Sequence, residues 1–252
     1  MRKALISDIH GNLEALEAVL KDIESQNVDE VYCLGDIVGY GPDPEACIDL
    51  VEHTCALKLM GNHDFALLTA AYGFNPIARS AIDYIRERLK PDIYSLPRKK
   101  HRWEFIGNLE ERRREGEFLF VHASPRDPIS EYLIPGDAEL KPEKLATLFS
   151  MMPRCAFGGH THLPGVFTEE PAFYTPAAVD HTWTFEEGKN FIINIGSVGQ
   201  PRDRDSRACY LLLEDFDCRW RRVEYDFTKT IRKVEQIDHL DDRCGLRLAE
   251  GR

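Results

Sequence analysis

The chain has 252 residues, 43% of them hydrophobic, and a formal net charge of −11. That length can bury one large core in a mixed α/β domain, while the acidic balance disfavours a protein that grips long nucleic acid through phosphate neutralisation. No apolar run approaches the roughly 18 residues of a membrane span or the core of a signal peptide, and the seven cysteines form no Cys-x-x-Cys pair and sit mostly beside apolar residues, so a soluble, cytoplasmic protein with reduced thiols is expected.

In chain order, residues 3–7 predict a buried strand, 8–11 a loop and 12–26 a helix. Leu13, Leu16, Leu20 and Ile23 share one helix side, Glu14, Glu17, Lys21 and Asp22 face outward, and Asn12 can cap the amino terminus. Residues 31–34 read as a strand, 44–51 as a helix and 56–60 as a strand running into Gly61-Asn62-His63-Asp64. This alternation implies parallel pairing, with ligand loops at the carboxyl ends of the strands. Residues 65–90 have a helical pattern, with Pro76 opening a second helix, and Pro91 and Pro97 are expected to stop helix formation.

Further on, 102–106 and 117–121 read as strands joined by a charged bend, and 142–152 as a short helix. Six more strands follow, at 155–157, 165–168, 182–185, 191–195, 208–213 and 220–225. A strand-rich second half after an alternating first half predicts two β-sheets face to face with helices outside. We expect one domain over residues 1–237, in which 65–115 forms a helical insert bordering the active site, and a loosely held tail at 238–252.

Residue types that bind metals recur at the ends of these apolar runs. In an extended turn, residues two apart point the same way, so Asp8 and His10 can reach one cation, as can His160 and His162. Asp36 closes the run 31–34 where its carboxylate can be shared between two cations. Asn62 can coordinate through its amide oxygen, leaving His63 on the other side as a proton donor. His122 ends another strand, where by itself it reads equally as a satisfied core histidine. Five of the nine histidines therefore follow predicted strands or lie in glycine-bearing turns. Asn12, at a helix start that favours anions, and Arg202, in the loop after residue 194, are candidate substrate contacts, although Arg202 reads equally as a solvated loop residue.

The motifs Asp8-Ile9-His10-Gly11-Asn12, Gly35-Asp36, Gly61-Asn62-His63-Asp64, Val121-His122 and Gly159-His160-Thr161-His162, in that order, resemble the calcineurin-like metallophosphoesterase family over about residues 1–225. The resemblance implies an α/β fold of two facing mixed β-sheets flanked by helices, a four-layer α-β-β-α sandwich. It implies one metal held by Asp8, His10, Asp36 and His162 and a second held by Asp36, Asn62, His122 and His160. A metal-bridging hydroxide would attack phosphorus, and His63 would protonate the leaving oxygen. Two cations roughly 3.5 to 4 Å apart can clamp phosphate oxygens in this way, and mixed nitrogen and oxygen ligands suit Mn²⁺, Fe, Zn²⁺, Ni²⁺ or Co²⁺.

The implied function is a metal-dependent phosphoesterase acting on the phosphomonoester or phosphodiester of a phosphorylated small molecule or nucleotide, with no stable nucleic-acid or membrane partner. Alternatives are a protein serine/threonine phosphatase, a dinucleoside polyphosphate hydrolase, or a catalytically weak metal-binding scaffold. Protein phosphatases resembling the family carry an aspartate three residues after the bridging one, then an arginine; here those places hold Gly39 and Tyr40. Asp64 or a backbone carbonyl is therefore expected to hold His63.

Overall fold

The side-chain alternation of the first strand sets the layers. In β1 (Arg2–Ile6), Leu5 packs with Phe120, Phe157 and Leu211 between two sheets, while Ala4 and Ile6 face the other way onto Leu16, Cys47 and Ile48. Those are the two sides of a period-two strand, both buried. A computed structural model describes residues 1–252.

After β1 come α1 (Leu13–Glu24), β2 (Glu30–Cys33), α2 (Pro44–Thr54), β3 (Leu57–Lys58), α3 (Asn62–Leu68), α4 (Pro76–Leu89) and α5 (Pro97–Gly107). Then follow β4 (Arg112–Glu115), β5 (Phe118–Val121), α6 (Asp137–Leu140), α7 (Pro142–Ser150), β6 (Cys155–Gly158), β7 (Gly165–Thr168) and β8 (Ala172–Tyr174). The chain closes with β9 (Thr182–Thr184), β10 (Phe191–Asn194), β11 (Ala208–Glu214), β12 (Asp217–Val223), α8 (Phe227–Glu235) and α9 (Arg243–Leu246).

One six-stranded sheet has the order β3-β2-β1-β11-β12-β9 and the other β4-β5-β6-β10-β7-β8. Both are mixed: β1, β2 and β3 run parallel, as do β5, β6 and β10, and antiparallel strands complete each sheet. Helices α1 and α2 cover the first sheet, and Leu145 and Leu148 of α7 cover the second. This is the expected sandwich. The seven cysteines are all buried free thiols, and no helix is long and apolar enough to cross a membrane.

Residues 102–106 are not a strand. They belong to α5, where Pro97 sits in the first turn and lacks only an N–H that no helical carbonyl needs. Arg98 and Arg102, four apart, share a face on which both reach Asp49 of α2 at 2.5 Å. The partner of β5 is instead the charged run Arg112–Glu115, with Arg113 opposite Phe120. As an edge strand it can carry charge on both faces. Residues 238–252 also differ from expectation: Leu240 ahead of α9, Cys244 within it and Leu248 in the single turn that follows are buried, and Leu240 and Cys244 cluster with Val234 of α8, Ala78 of α4 and Tyr40. Apolar residues too sparse to show a period are enough to dock such a short segment.

Candidate metal centre

The carboxyl ends of β1, β2, β5 and β6 open onto one cleft, with the start of α3 beside them. Backbone bonds hold the ends in register: Asp8 N–H donates to the Gly35 carbonyl at 3.0 Å and His10 N–H to the Asp36 carbonyl at 2.9 Å. The end of β10 and the loop after it brace them, since Asn194 Nδ2 donates to the Gly159 carbonyl at 2.6 Å and Ser197 Oγ to the Asp8 carbonyl at 2.9 Å.

Two groups of buried side chains result, each able to hold a cation: Asp8, His10 and His162, and Asp36, His122 and His160. In the first, His10 Nε2 lies 3.1 Å from His162 Nε2, which is 3.2 Å from Asp8 Oδ1. In the second, His122 Nε2 is 3.1 Å from Asn62 Oδ1, which brings the amide oxygen to the same place. Asp36 Oδ2 lies between the groups, 3.6 Å from His10 Nε2 and 3.4 Å from His122 Nε2. Donor atoms around one cation with bonds near 2.1 Å are separated by about 3.0 to 3.4 Å, close to these distances.

The outer ring nitrogens are already used. Nδ1 of His10, His122 and His162 each meets a backbone carbonyl, of Val38, Leu34 and Gln200 respectively. A proton fixed there leaves the Nε2 lone pair facing inward. His160 is turned over, with Nε2 3.2 Å from the Ser130 carbonyl, so Nδ1 is its free nitrogen.

The turns that present these residues are not extended, as the two-apart spacing suggested. Asp8, His10, Asp36, His160 and His162 all have left-handed backbone, with φ between 51° and 64°. That region is rarely occupied by residues other than glycine and tends to mark functional sites. Gly61 has a different reason to be glycine: a Cβ there would stand 2.1 Å from Asp36 Oδ1. The same oxygen accepts the His63 N–H at 2.8 Å.

Two carboxylates, Asp8 and Asp36, are thus fully buried with no lysine or arginine paired to either. Burial alone would raise both acids, but facing imidazoles, chiefly His162 for Asp8 and His122 for Asp36, hold them well below the usual carboxylate range. Burial also lowers His10, His162 and His160, the last to about 3, which keeps their rings neutral. For His122 burial is outweighed by Asp36 and the ring rises to about 9. Anionic oxygens converging with three neutral imidazoles, and with a fourth, His122, that a cation would have to deprotonate, are a cation-binding set.

His63 borders the cleft and also lies near His10 and Asp36, so that these three form a further possible cation triplet. Neither Asp64 nor a carbonyl holds it. Asp64 accepts the backbone N–H groups of Ile37, Val38 and Gly61, and burial followed by Asp36 pushes its carboxyl up to about 7. His63 Nδ1 is buried without a partner. The ring is fixed by packing, with centroids 4.7 to 4.9 Å from those of His10, Tyr40 and Phe74. Burial lowers it to about 4.

Arg202 lines the cleft, its Nη2 donating to Gln200 Oε1 at 2.8 Å. Asn12 does not reach it. Its Oδ1 accepts from Ala15 N–H and the Thr230 hydroxyl, and its Nδ2 faces the Gly199 carbonyl and Tyr225 hydroxyl, so its hydrogen-bonding capacity serves the fold. Cleft residues that carried no motif are Tyr72, Phe74 and Asn75 before α4, and Ser130 and Tyr132 after β5; Tyr132 packs 4.1 Å from the His160 ring.

The chain is 36% identical to an uncharacterised protein of Methanocaldococcus jannaschii over 258 residues, covering 99% of this chain and 98% of that one. It superposes on the crystal structure of a metallophosphoesterase from Sphaerobacter thermophilus with a TM-score of 0.82 and 34% identity, covering 100% of both chains. A symmetrical bis(5'-nucleosyl)-tetraphosphatase of an Acidovorax species is 35% identical over 127 residues, 47% of this chain and 42% of that protein, so the chain matches under half of the tetraphosphatase. The calcineurin-like phosphoesterase superfamily domain matches residues 1–215, and the chain belongs to that superfamily.

Proposed function

We propose that the protein is a dinuclear-metal phosphoesterase that hydrolyses the phosphomonoester or phosphodiester bond of a small phosphorylated molecule or nucleotide. Asp8, His10, Asp36 and His162 would hold one cation, and Asp36, Asn62, His122 and His160 the other. The observation that carries this reading is the position of Asp36 Oδ2, within 3.6 Å of a histidine nitrogen from each group. When bound, the cations supply positive charge for the phosphate oxygens and acidity that makes a water nucleophilic at neutral pH.

The chain's own residues orient and protonate. The buried ligand turns exclude bulk water from the inner side of the phosphate, and the Arg202 guanidinium lies on the cleft wall where it can meet a phosphate oxygen. His63, next to the leaving group, hands it a proton. Because burial holds this ring neutral in the free cleft, it would take up a proton from solvent as the negatively charged phosphate enters and then pass it to the leaving oxygen. The seven free thiols support a cytoplasmic location.

A second reading, hydrolysis of dinucleoside polyphosphates, draws on the similarity to the tetraphosphatase. Both are tested by loading the protein with manganese, iron, zinc, nickel or cobalt. Turnover is then measured with p-nitrophenyl phosphate, bis-p-nitrophenyl phosphate, cyclic nucleotides, diadenosine tetraphosphate and a phosphopeptide. Hydrolysis of at least one, lost on chelation, is expected; no turnover with any metal would overturn the phosphoesterase reading.

A further inference from the structure

A second cavity, about 440 Å³ in volume, lies beside the metal cleft of about 390 Å³ and shares two wall residues with it, Tyr40 and Asn75. Its far wall comes from the tail that follows α8. Among the charged residues there, Arg243 is tied to Asp241 at 2.7 Å and Arg252 to Glu250 at 3.0 Å. Arg247 has no Asp or Glu partner: its Nε donates to the main-chain oxygen of Arg252 at 2.5 Å, and its two terminal nitrogens have no protein acceptor.

On the cleft side of Tyr40, Arg202 is in the same condition. Its Nη2 meets the neutral Gln200 amide, its Nε is buried with no partner, and its guanidinium carbon lies 6.0 Å from the Tyr40 ring centre. Both arginines are half-buried. Guanidinium groups partly removed from water with no Asp or Glu side chain paired to them are unfavourable, and more so as a pair. Burial first, and then Arg202, holds the Arg247 guanidinium below its ordinary value, so the two charges act on one another. One polyanion lying along Tyr40 would satisfy both, with the planar forks suited to phosphate oxygens.

We propose that Arg202 and Arg247, on either side of Tyr40, form a subsite for a second phosphate of the substrate, so that the preferred substrates carry a polyphosphate chain or two phosphate groups. This rests on the phosphoesterase reading. The scissile phosphate would sit at the metal centre and the next would lie along Tyr40, between Arg202 and Arg247. The tail thereby becomes a specificity element.

The test uses metal-loaded full-length protein and two readouts. The first is the ratio of kcat/KM for diadenosine tetraphosphate to that for p-nitrophenyl phosphate. The second, which needs no turnover, is the calorimetric affinity for ADP relative to inorganic phosphate. Loss of a charge-assisted hydrogen bond predicts that Arg247→Gln lowers both ratios about tenfold. Arg247→Lys should recover part of the loss, and thermal melts establish that the variants are folded. Should the Gln variant melt early, the Lys variant carries the comparison with a smaller drop. Ratios equal to wild type in both variants would overturn the subsite while leaving the phosphoesterase reading intact. If the wild type turns over neither substrate, that reading falls, and the ADP affinities alone decide whether the subsite exists.

Discussion

Gly39 and His63 compete for one space: a Cβ on Gly39 would lie 2.5 Å from His63 Nδ1 and 2.9 Å from His10 Nδ1. The protein phosphatases' aspartate at that place therefore has no room here, and its absence goes with a histidine positioned by rings rather than by a carboxylate. Gly39 also has φ of 117°, which strains any side chain. Gly39→Ala should displace the His63 ring and lower kcat by about a hundredfold, the scale of a 1 Å misplacement, and its push on His10 should also lower the metal content measured by elemental analysis. Unaltered kcat would show that His63 placement does not depend on this contact.

Variants of Asp36 and His63 test the proposed metal binding and the proposed proton transfer separately. Asp36→Asn removes the charge that lies between the two groups, and metal analysis should find both sites depleted. His63→Asn should keep both metals and slow turnover by about 10² to 10⁴. Full metal occupancy in the Asp36 variant would refute the shared ligand. Metal loss in the His63 variant would instead make His63 a ligand, through the triplet it forms with His10 and Asp36.

Much of this arrangement was legible in the sequence because strand ends are. Apolar runs of three to five residues ahead of Asp8, Asp36, Asn62, His122 and His160 marked where side chains leave the core, and the structure brings those ends to one cleft. Three things were not legible. Left-handed turns at Asp8, His10 and His160 leave no trace in residue type, since glycine, which would signal them, is not there. The helix at 97–107 was hidden because its apolar Trp103, Phe105 and Ile106 are too close together to show a helical stripe. Tyr72, Tyr132 and Arg247 reach the cleft or its neighbour through loop and tail packing, which local periodicity does not encode.

Asp22 ties α1 to the two adjoining strands β11 and β12. It accepts from the Tyr210 hydroxyl at 2.7 Å and from Arg221 Nε and Nη2 at 2.7 and 2.9 Å. The Arg221 bond, followed in size by burial acting the other way, holds its carboxyl below the ordinary range. A depressed carboxyl stabilises the fold above its unfolded value and loses that contribution as pH falls through the folded one. Asp22→Asn should therefore cost about 1 kcal/mol near neutrality, discounted for its partial exposure, and less once pH drops below about 3.9. Urea unfolding at pH 7, 5 and 3 measures the gap; a gap independent of pH would assign it to packing instead.

Metal removal should act on stability as well as activity. Asp8 and Asp36 are buried carboxylates whose counter-charges in the bare protein are only imidazoles, and cations that bind the folded chain but not the unfolded one stabilise by mass action. At a free concentration a hundred times the dissociation constant that amounts to about 2.7 kcal/mol, which for a domain of this size is a shift of about 5 to 10 °C in Tm. Chelated protein should melt lower by that amount and recover when manganese or zinc is returned. Asp36→Asn, lacking the shared oxygen, should show little response to either treatment. Identical melting of the chelated and loaded wild type, with elemental analysis confirming that metal had left, would show that these side chains are held by the protein scaffold alone. The left-handed turns at Asp8, His10 and Asp36 would then owe their geometry to the bonds that the Gly35 and Asp36 carbonyls accept and that the Ser197 hydroxyl donates.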